Sequence, residues 1–232
     1  MVTSFLITND DGIDAPGIRA LHKALSQVTS DRIVVVAPKH HQSGCGHRVN
    51  IRTVIPVEWR SKTEVSVDST PADCVRLGVN YLYDDINFVV SGVNSGCNMG
   101  SDIYPSGTIA AAREATIHRI PAIAFSHFKR NDWEIDWERA IQWTVMVLKK
   151  LLAEPPEEGT LWTVNFPHLE PDAPEPETVF CRLCNRPLLT EFVEKENGYL
   201  YVGYDLNRKS DPGTDVDVCL SGNIAIAKAR LW

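Results

Sequence analysis

The sequence predicts an α/β fold: a Rossmann-like, mostly parallel sheet with helices on both faces, followed by a β-rich C-terminal arm and closing strand. Three observations carry this. Short β-branched apolar runs alternate with segments of helical periodicity, the pattern of successive βαβ units. Those runs are continuously apolar, as strands buried on both faces are. After a proline-rich piece, Pro167 to Pro176, the character changes to hairpin-like alternation. With 232 residues this is one domain, a core over 1–166 and an arm with a closing strand over 167–232.

The elements follow in order. Ser4 to Thr8 is a strand ending at Asn9-Asp10-Asp11-Gly12, and Pro16 opens a helix whose apolar stripe is Ile18, Leu21 and Leu25. Arg32 to Ala37 is the second buried strand, stopped by Pro38. The loose alternation from Val49 to Val67 suggests antiparallel strands or a hairpin outside the parallel core. Thr70-Pro71-Ala72-Asp73 is a helix start, with Thr70 as N-cap and Pro71 in the first position. Val75, Leu77, Val79 and Leu82 give that helix its apolar side. Asn87 to Ser91 is a third strand, leading into the glycine-rich stretch Gly92 to Gly107. A helix from Thr108 to about His118, a strand Ala122 to Ser126, a long helix Trp137 to Leu152 and a strand Leu161 to Phe166 complete the core. Leu188 to Val193 and Tyr199 to Tyr204, joined through Asn197-Gly198, form a hairpin. Asn223 to Ala229 is the last strand.

The formal charge of −7 argues against a surface that tracks a nucleic-acid polymer, since such binding depends on clustered Lys and Arg. No signal peptide and no run of about 18 apolar residues are present, so a cytoplasmic protein without membrane attachment is expected. The six cysteines are scattered, and reduced thiols are expected. Cys181 and Cys184 make a lone CxxC, read as strand or loop cysteines because no second pair completes a zinc site.

Three loops follow carboxyl ends of predicted parallel strands, the edge where open α/β sheets bind ligands. In the first, adjacent carboxylates Asp10 and Asp11 repel each other unless a cation or hydrogen bonds compensate, which suits a hard divalent ion such as Mg²⁺ or Mn²⁺. An Asx-turn with a helix cap is the alternative. The second, Lys39 to His47, offers the Ser43 hydroxyl between flexible glycines. Its adjacent His40 and His41 are read as surface residues rather than ligands. The third offers Asn94 and Asn98 and runs into Ser106-Gly107-Thr108 at a helix N-terminus, where free N–H groups and a partial positive charge make a phosphate cradle. An ordinary Ser or Thr cap is the alternative there. Neither a Walker A loop, a GxGxxG after the first strand, nor a GxSxG elbow is present.

The motifs NDDGIDAPGI, VVAP followed by SG, STPADCVRLG and SGVNSGCNMGSDIYPSGTIAAAREA, with the closing stretch Asp211 to Leu231, resemble the SurE (stationary-phase survival protein) family of metal-dependent nucleoside 5′-monophosphate phosphohydrolases. The resemblance implies one divalent cation per subunit, held by Asp10, Asp11, Ser43 and Asn94. It implies phosphate contacts from Asn98, Ser106, Gly107 and Thr108, and a homodimer or homotetramer built through the β arm and an exchanged terminal helix. Two departures stand out. Gln42 occupies a position where the family has Arg, and the sequence ends at Trp232 just after its last strand, which puts helix exchange in doubt.

The expected activity is hydrolysis of nucleoside 5′-monophosphates to nucleoside and phosphate by an activated water. Asp10 is both ligand and proton acceptor, and Asp11 a ligand alone. One alternative is a phosphatase acting mainly on short polyphosphate or other phosphate esters. The other is a nucleotide-binding protein with little turnover.

Overall fold

The computed structural model describes residues 4–130, 133–187, 190–202 and 209–232. Its centre is a nine-stranded sheet. In chain order the strands are β1 (Ser4–Thr8), β2 (Arg32–Pro38), β3 (Val57–Trp59), β4 (Glu64–Val67), β5 (Phe88–Ser95), β6 (Ala122–His127), β7 (Thr160–Phe166), β8 (Thr178–Cys181) and β11 (Ile224–Arg230), in the spatial order β3-β4-β2-β1-β5-β6-β7-β11-β8. β9 (Phe192–Lys195) and β10 (Gly198–Tyr201) form a separate antiparallel hairpin. The run from β4 to β7 is parallel throughout. From β1 the chain moves outward to β2 and β4, then returns to β5 on the other side of β1. The order therefore reverses at β1, and the loops after β1 and β5 diverge to leave a crevice at their carboxyl ends.

Helices α1 (Pro16–Val28) and α4 (Trp137–Ala153) cover one face, packing on Phe5, Ile7, Val35, Val90, Ile123 and Phe125. Helices α2 (Pro71–Leu77) and α3 (Gly107–Ile117) cover the other, packing on Leu6, Val34, Val36, Val89, Ala122 and Ala124. The alternation along each strand sends successive side chains into opposite clusters, so both faces are dry. Each fully buried Leu, Ile or Phe contributes on the order of 1.5–3 kcal/mol, which makes this two-sided core the main source of stability.

Thr70 caps as the sequence predicts, accepting from the Asp73 N–H at 3.3 Å with Pro71 in the first helical position, and Ser106, read first as part of a phosphate cradle with a cap as the alternative, does cap its helix by accepting from the Ile109 N–H at 3.1 Å. Other expectations are corrected. β3 and β4 do form a hairpin, but β4 also pairs in parallel with β2, so the hairpin extends the main sheet instead of lying outside it. The apolar residues from Val75 to Leu82 divide between α2 and a π-helical turn, Gly78–Leu82. In the last third, β8 and a short helix α5 (Asp215–Leu220) went unread, because brief mixed segments carry little periodicity. The β9–β10 hairpin turns at Asn197-Gly198 as expected, though 188, 189, 203 and 204 of the expected arms lie outside the described residues. Cys181 ends β8, Cys184 is buried in the following loop, and all six cysteines are free thiols.

Candidate active site

Asp10 and Asp11 leave β1 at the switch point. Asp10 is 4% exposed, and its Oδ1 accepts the Thr108 hydroxyl at 2.5 Å. Its carbonyl accepts the Gln42 N–H at 2.7 Å, which draws the loop after β2 over the acidic pair. Burial pushes the Asp10 carboxyl up to about 6; the Thr108 hydrogen bond opposes that shift and the Asp11 charge adds to it. Asp11 Oδ2 accepts the Ser95 N–H at 2.9 Å, and its Oδ1 lies 3.3 Å from His41 Nδ1. These contacts join the loops after β1 and β2 to the end of β5.

The cradle residues sit at the start of α3. Gly107 is required there: a Cβ would come within 2.8 Å of Asp10 Cβ and 2.9 Å of Cys45 Sγ. Ser106 caps the helix through the Ile109 N–H, and the Asp10 carboxyl takes hydrogen bonds from both the hydroxyl and the backbone N–H of Thr108. The anion that the first turn of α3 already faces is thus the Asp10 carboxyl.

Asn94 follows a register shift between β5 and β6 at Ser91/Asn94, where Gly92 adopts φ of +131° and a Cβ would lie 2.3 Å from the Phe125 carbonyl oxygen. Asn94 Nδ2 donates to Gly96 O at 2.8 Å, so its side chain is oriented by its own loop. Asn98 is buried. Its Nδ2 donates to Ser126 Oγ at 2.8 Å, while Asn165 brackets its backbone, accepting the Asn98 N–H at 2.8 Å and donating to its carbonyl at 3.1 Å. Ser43 is exposed, next to Gln42 in the loop pinned to Asp10.

Several supports escaped sequence reasoning. Glu114, from the third turn of α3, meets His47 Nε2 at 2.6 Å, Arg76 Nε at 3.4 Å and His118 Nε2 at 3.2 Å, fixing the second loop to the cradle helix. The wholly buried Asp215 accepts the N–H groups of Gly100 at 2.7 Å and Cys184 at 2.7 Å, anchoring the third loop to α5. An acidic residue inside an apolar stretch, as in Asp215-Val216-Asp217-Val218, was the available signal.

Known proteins resemble this chain in sequence and fold. The family model described as survival protein SurE matches residues 5–188. A relative from Nostoc sp. is 46% identical over 228 residues, covering 98% of this chain and 100% of its own. The 5′-nucleotidase SurE of Paramagnetospirillum magneticum is 37% identical over 95% of this chain and 87% of its own. The chain belongs to the SurE family. The crystal structure of the SurE protein from Aquifex aeolicus superposes with a TM-score of 0.85 at 33% identity, covering 99% of this chain and 94% of that one.

Within this SurE chain, the Gln42 departure has a neighbour: Arg48 Nη2 donates to Gln42 Oε1 at 3.1 Å, so a guanidinium stands beside the loop from another position. The donor set also fits a hard cation. Asp10 and Asp11 are adjacent carboxylates, Ser43 follows Gln42, whose N–H bonds the Asp10 carbonyl, Asn94 precedes Ser95, whose N–H bonds Asp11, and the buried Asn9 Oδ1 has no hydrogen-bond partner. Among the described residues no group of three or more His, Cys, Asp or Glu could hold a metal ion, so softer sites of that kind are not formed.

Proposed function

We propose that this SurE-family chain is a phosphoric monoester hydrolase that converts nucleoside 5′-monophosphates to nucleoside and phosphate, using one divalent cation, Mg²⁺ or Mn²⁺, per subunit in the cytoplasm. The observation that carries the proposal is the Thr108–Asp10 hydrogen bond, which sets a buried carboxylate against the N-terminus of α3. An acid and an anion cradle in contact are what water attack on a phosphate ester needs. The names of the P. magneticum relative and its kin support the substrate class.

Asp10, Asp11, Ser43 and Asn94 would hold the cation, a set of oxygen donors. The cation supplies charge neutralisation and makes nearby water more acidic. Asp10 accepts the proton of the attacking water as the new P–O bond forms and the bond to the ribose 5′ oxygen breaks, with solvent protonating the departing alkoxide. Its raised proton affinity suits that role. Asp11, fixed by the Ser95 N–H, remains a ligand only. The Gly107 N–H, with the α3 dipole, receives the charge that builds on the phosphoryl oxygens, Thr108 joins this phosphate side as its bonds to Asp10 loosen on protonation of that carboxyl, and Ser106 keeps the turn in shape. Asn98 completes the phosphate side. Arg48, brought close through Gln42, adds the positive charge that the substitution at 42 removes. The proposed assembly is a homodimer or homotetramer through the β9–β10 arm, whose Phe192, Tyr199 and Leu200 are exposed.

The test compares phosphate release from nucleoside 5′-monophosphates with release from short polyphosphate at equal phosphate concentration. Higher kcat/KM on the nucleotides supports the proposal. Preference for polyphosphate overturns the substrate class while leaving the phosphatase intact.

A further inference from the structure

A cavity of about 450 Å³ opens at the carboxyl ends of β6 and β7, beneath the start of α4, with His127, Trp133, Trp143 and His168 among its walls. It lies across the sheet from Asp10. Ser126 points to the α3 side and bonds Asn98, whereas His127, the next residue of β6, turns to the α4 side and stacks on Trp143 with ring centroids 6.0 Å apart.

The walls define the chemistry. His127 is 3% exposed, and its Nδ1 lies 2.8 Å from the Phe128 carbonyl oxygen. Nδ1 must therefore carry the proton, and Nε2, without a hydrogen bond among the described residues, is left as an acceptor on a side chain that lines the cavity. Burial lowers the imidazole to about 4, so this acceptor persists at neutral pH. His168 is already committed, since its Nδ1 accepts the Arg130 N–H at 3.0 Å. Arg139 is committed too: its guanidinium donates to the carbonyls of Glu170 at 2.9 Å and Ala173 at 3.0 Å, with its face over Trp143 at 5.0 Å. Glu134, Asp136 and Glu170 make the wall acidic, and among the lining residues no uncommitted cation is left to receive a phosphate; Arg130, outside the lining, sets its guanidinium 5.8 Å from the Trp133 ring centroid. Trp133, 39% exposed at the rim, offers a flat surface for stacking.

We infer that this cavity is a second binding site, distinct from the acidic pair, for an uncharged planar N-heterocycle bearing an exocyclic amine, the chemistry of an adenosine-type nucleoside without phosphate. The amine donates to His127 Nε2 and the ring lies against Trp133. Cavities of a few hundred Å³ with aromatic walls and a few placed polar groups are of the size such ligands occupy. The inference does not rest on catalysis by Asp10.

Calorimetric titration of the whole chain in chelator, where binding is read without turnover, tests it with adenosine and with purine riboside, which lacks the amine. Adenosine is expected to bind at one site, and purine riboside about tenfold more weakly, the scale of one hydrogen bond. His127→Phe and Trp133→Leu should each weaken adenosine by about tenfold or more, with Trp133→Leu retaining phosphate release as a check on folding, and Asp10→Asn should leave adenosine binding unchanged. Absence of adenosine binding at millimolar concentration overturns the inference. So does binding lost in Asp10→Asn but kept in Trp133→Leu, which places the ligand at the acidic pair, or tighter binding of tetramethylammonium than of adenosine, which makes the cavity a cation cage.

Discussion

Thr108 donates its hydroxyl to Asp10 Oδ1 at 2.5 Å, joining residues 98 positions apart in the sequence. The contact fixes the first turn of α3 against the end of β1, so the anion cradle and the acidic pair move as one body. Hydrogen bonds to charged groups are worth about 1.5–3 kcal/mol, or roughly ten- to a hundredfold in rate. Thr108→Val should lower kcat/KM for phosphate release by that factor, and Thr108→Ser should restore most of it. A Thr108→Val enzyme with unchanged kcat/KM would separate the two features.

The burial of Asp10 has a stability consequence whose sign is opposite to that of a paired carboxylate. Its folded-state pKa of about 6 stands above the unfolded value of 3.8, so the folded chain binds more protons between these values and loses stability as pH rises through them. In chelator, Asp10→Asn should be more stable than the parent at pH 7, by on the order of 3 kcal/mol. The gap should close towards pH 4. Thermal melts at the two pH values measure it, and a destabilised Asp10→Asn at pH 7 would refute it.

Gly107→Ala separates packing from helix propensity. Alanine favours a helix over glycine by about 1 kcal/mol, but here its Cβ meets Asp10 and Cys45 at under 3 Å. The variant should keep its fold while α3 shifts away from β1, with kcat/KM lowered by roughly tenfold or more, since each tenfold is about 1.4 kcal/mol of misplaced stabilisation. Steady-state kinetics beside a melting curve reads both effects.

Glu114 behaves as an ordinary paired acid. Burial raises its pKa, but the His47 hydrogen bond and the charges of His47, Arg76 and His118 outweigh that and leave the carboxyl below its usual 4.5. The stabilisation is therefore present above about 4.5 and lost as pH falls through the lower folded value. Glu114→Gln should cost about 1–3 kcal/mol at pH 7, with the difference shrinking in acid, and should raise KM as the second loop loosens from α3. Melts at pH 7 and pH 4, paired with kinetics, check this.

The core of the fold was legible because its signals are local. Continuous apolar runs gave five parallel strands, and Thr70-Pro71 and Ser106 announced helix starts that the side chains do cap. The site was legible in outline: Asp10 follows the end of β1 and Ser106 opens α3, whereas Asn94, expected in a loop after Ser91, lies within β5, which runs on past a bulge to Ser95. How those loops grip one another was not. Asn165 bracketing Asn98, Glu114 holding His47 and Asp215 anchoring Gly100 are pairings 67, 67 and 115 residues apart, which no periodicity records. The parallel pairing of β4 was missed for the same reason: a four-residue strand states its alternation but not its partner.

The most direct test of the central claim, that a cation-loaded Asp10 site hydrolyses nucleoside monophosphates, is phosphate release from a nucleotide panel with Mg²⁺, Mn²⁺ or chelator, for the parent and Asp10→Asn. The account predicts cation-dependent release that falls by about a thousandfold, some 4 kcal/mol of barrier, in a variant that remains folded. Turnover that persists at the parent rate in chelator and in Asp10→Asn would contradict it.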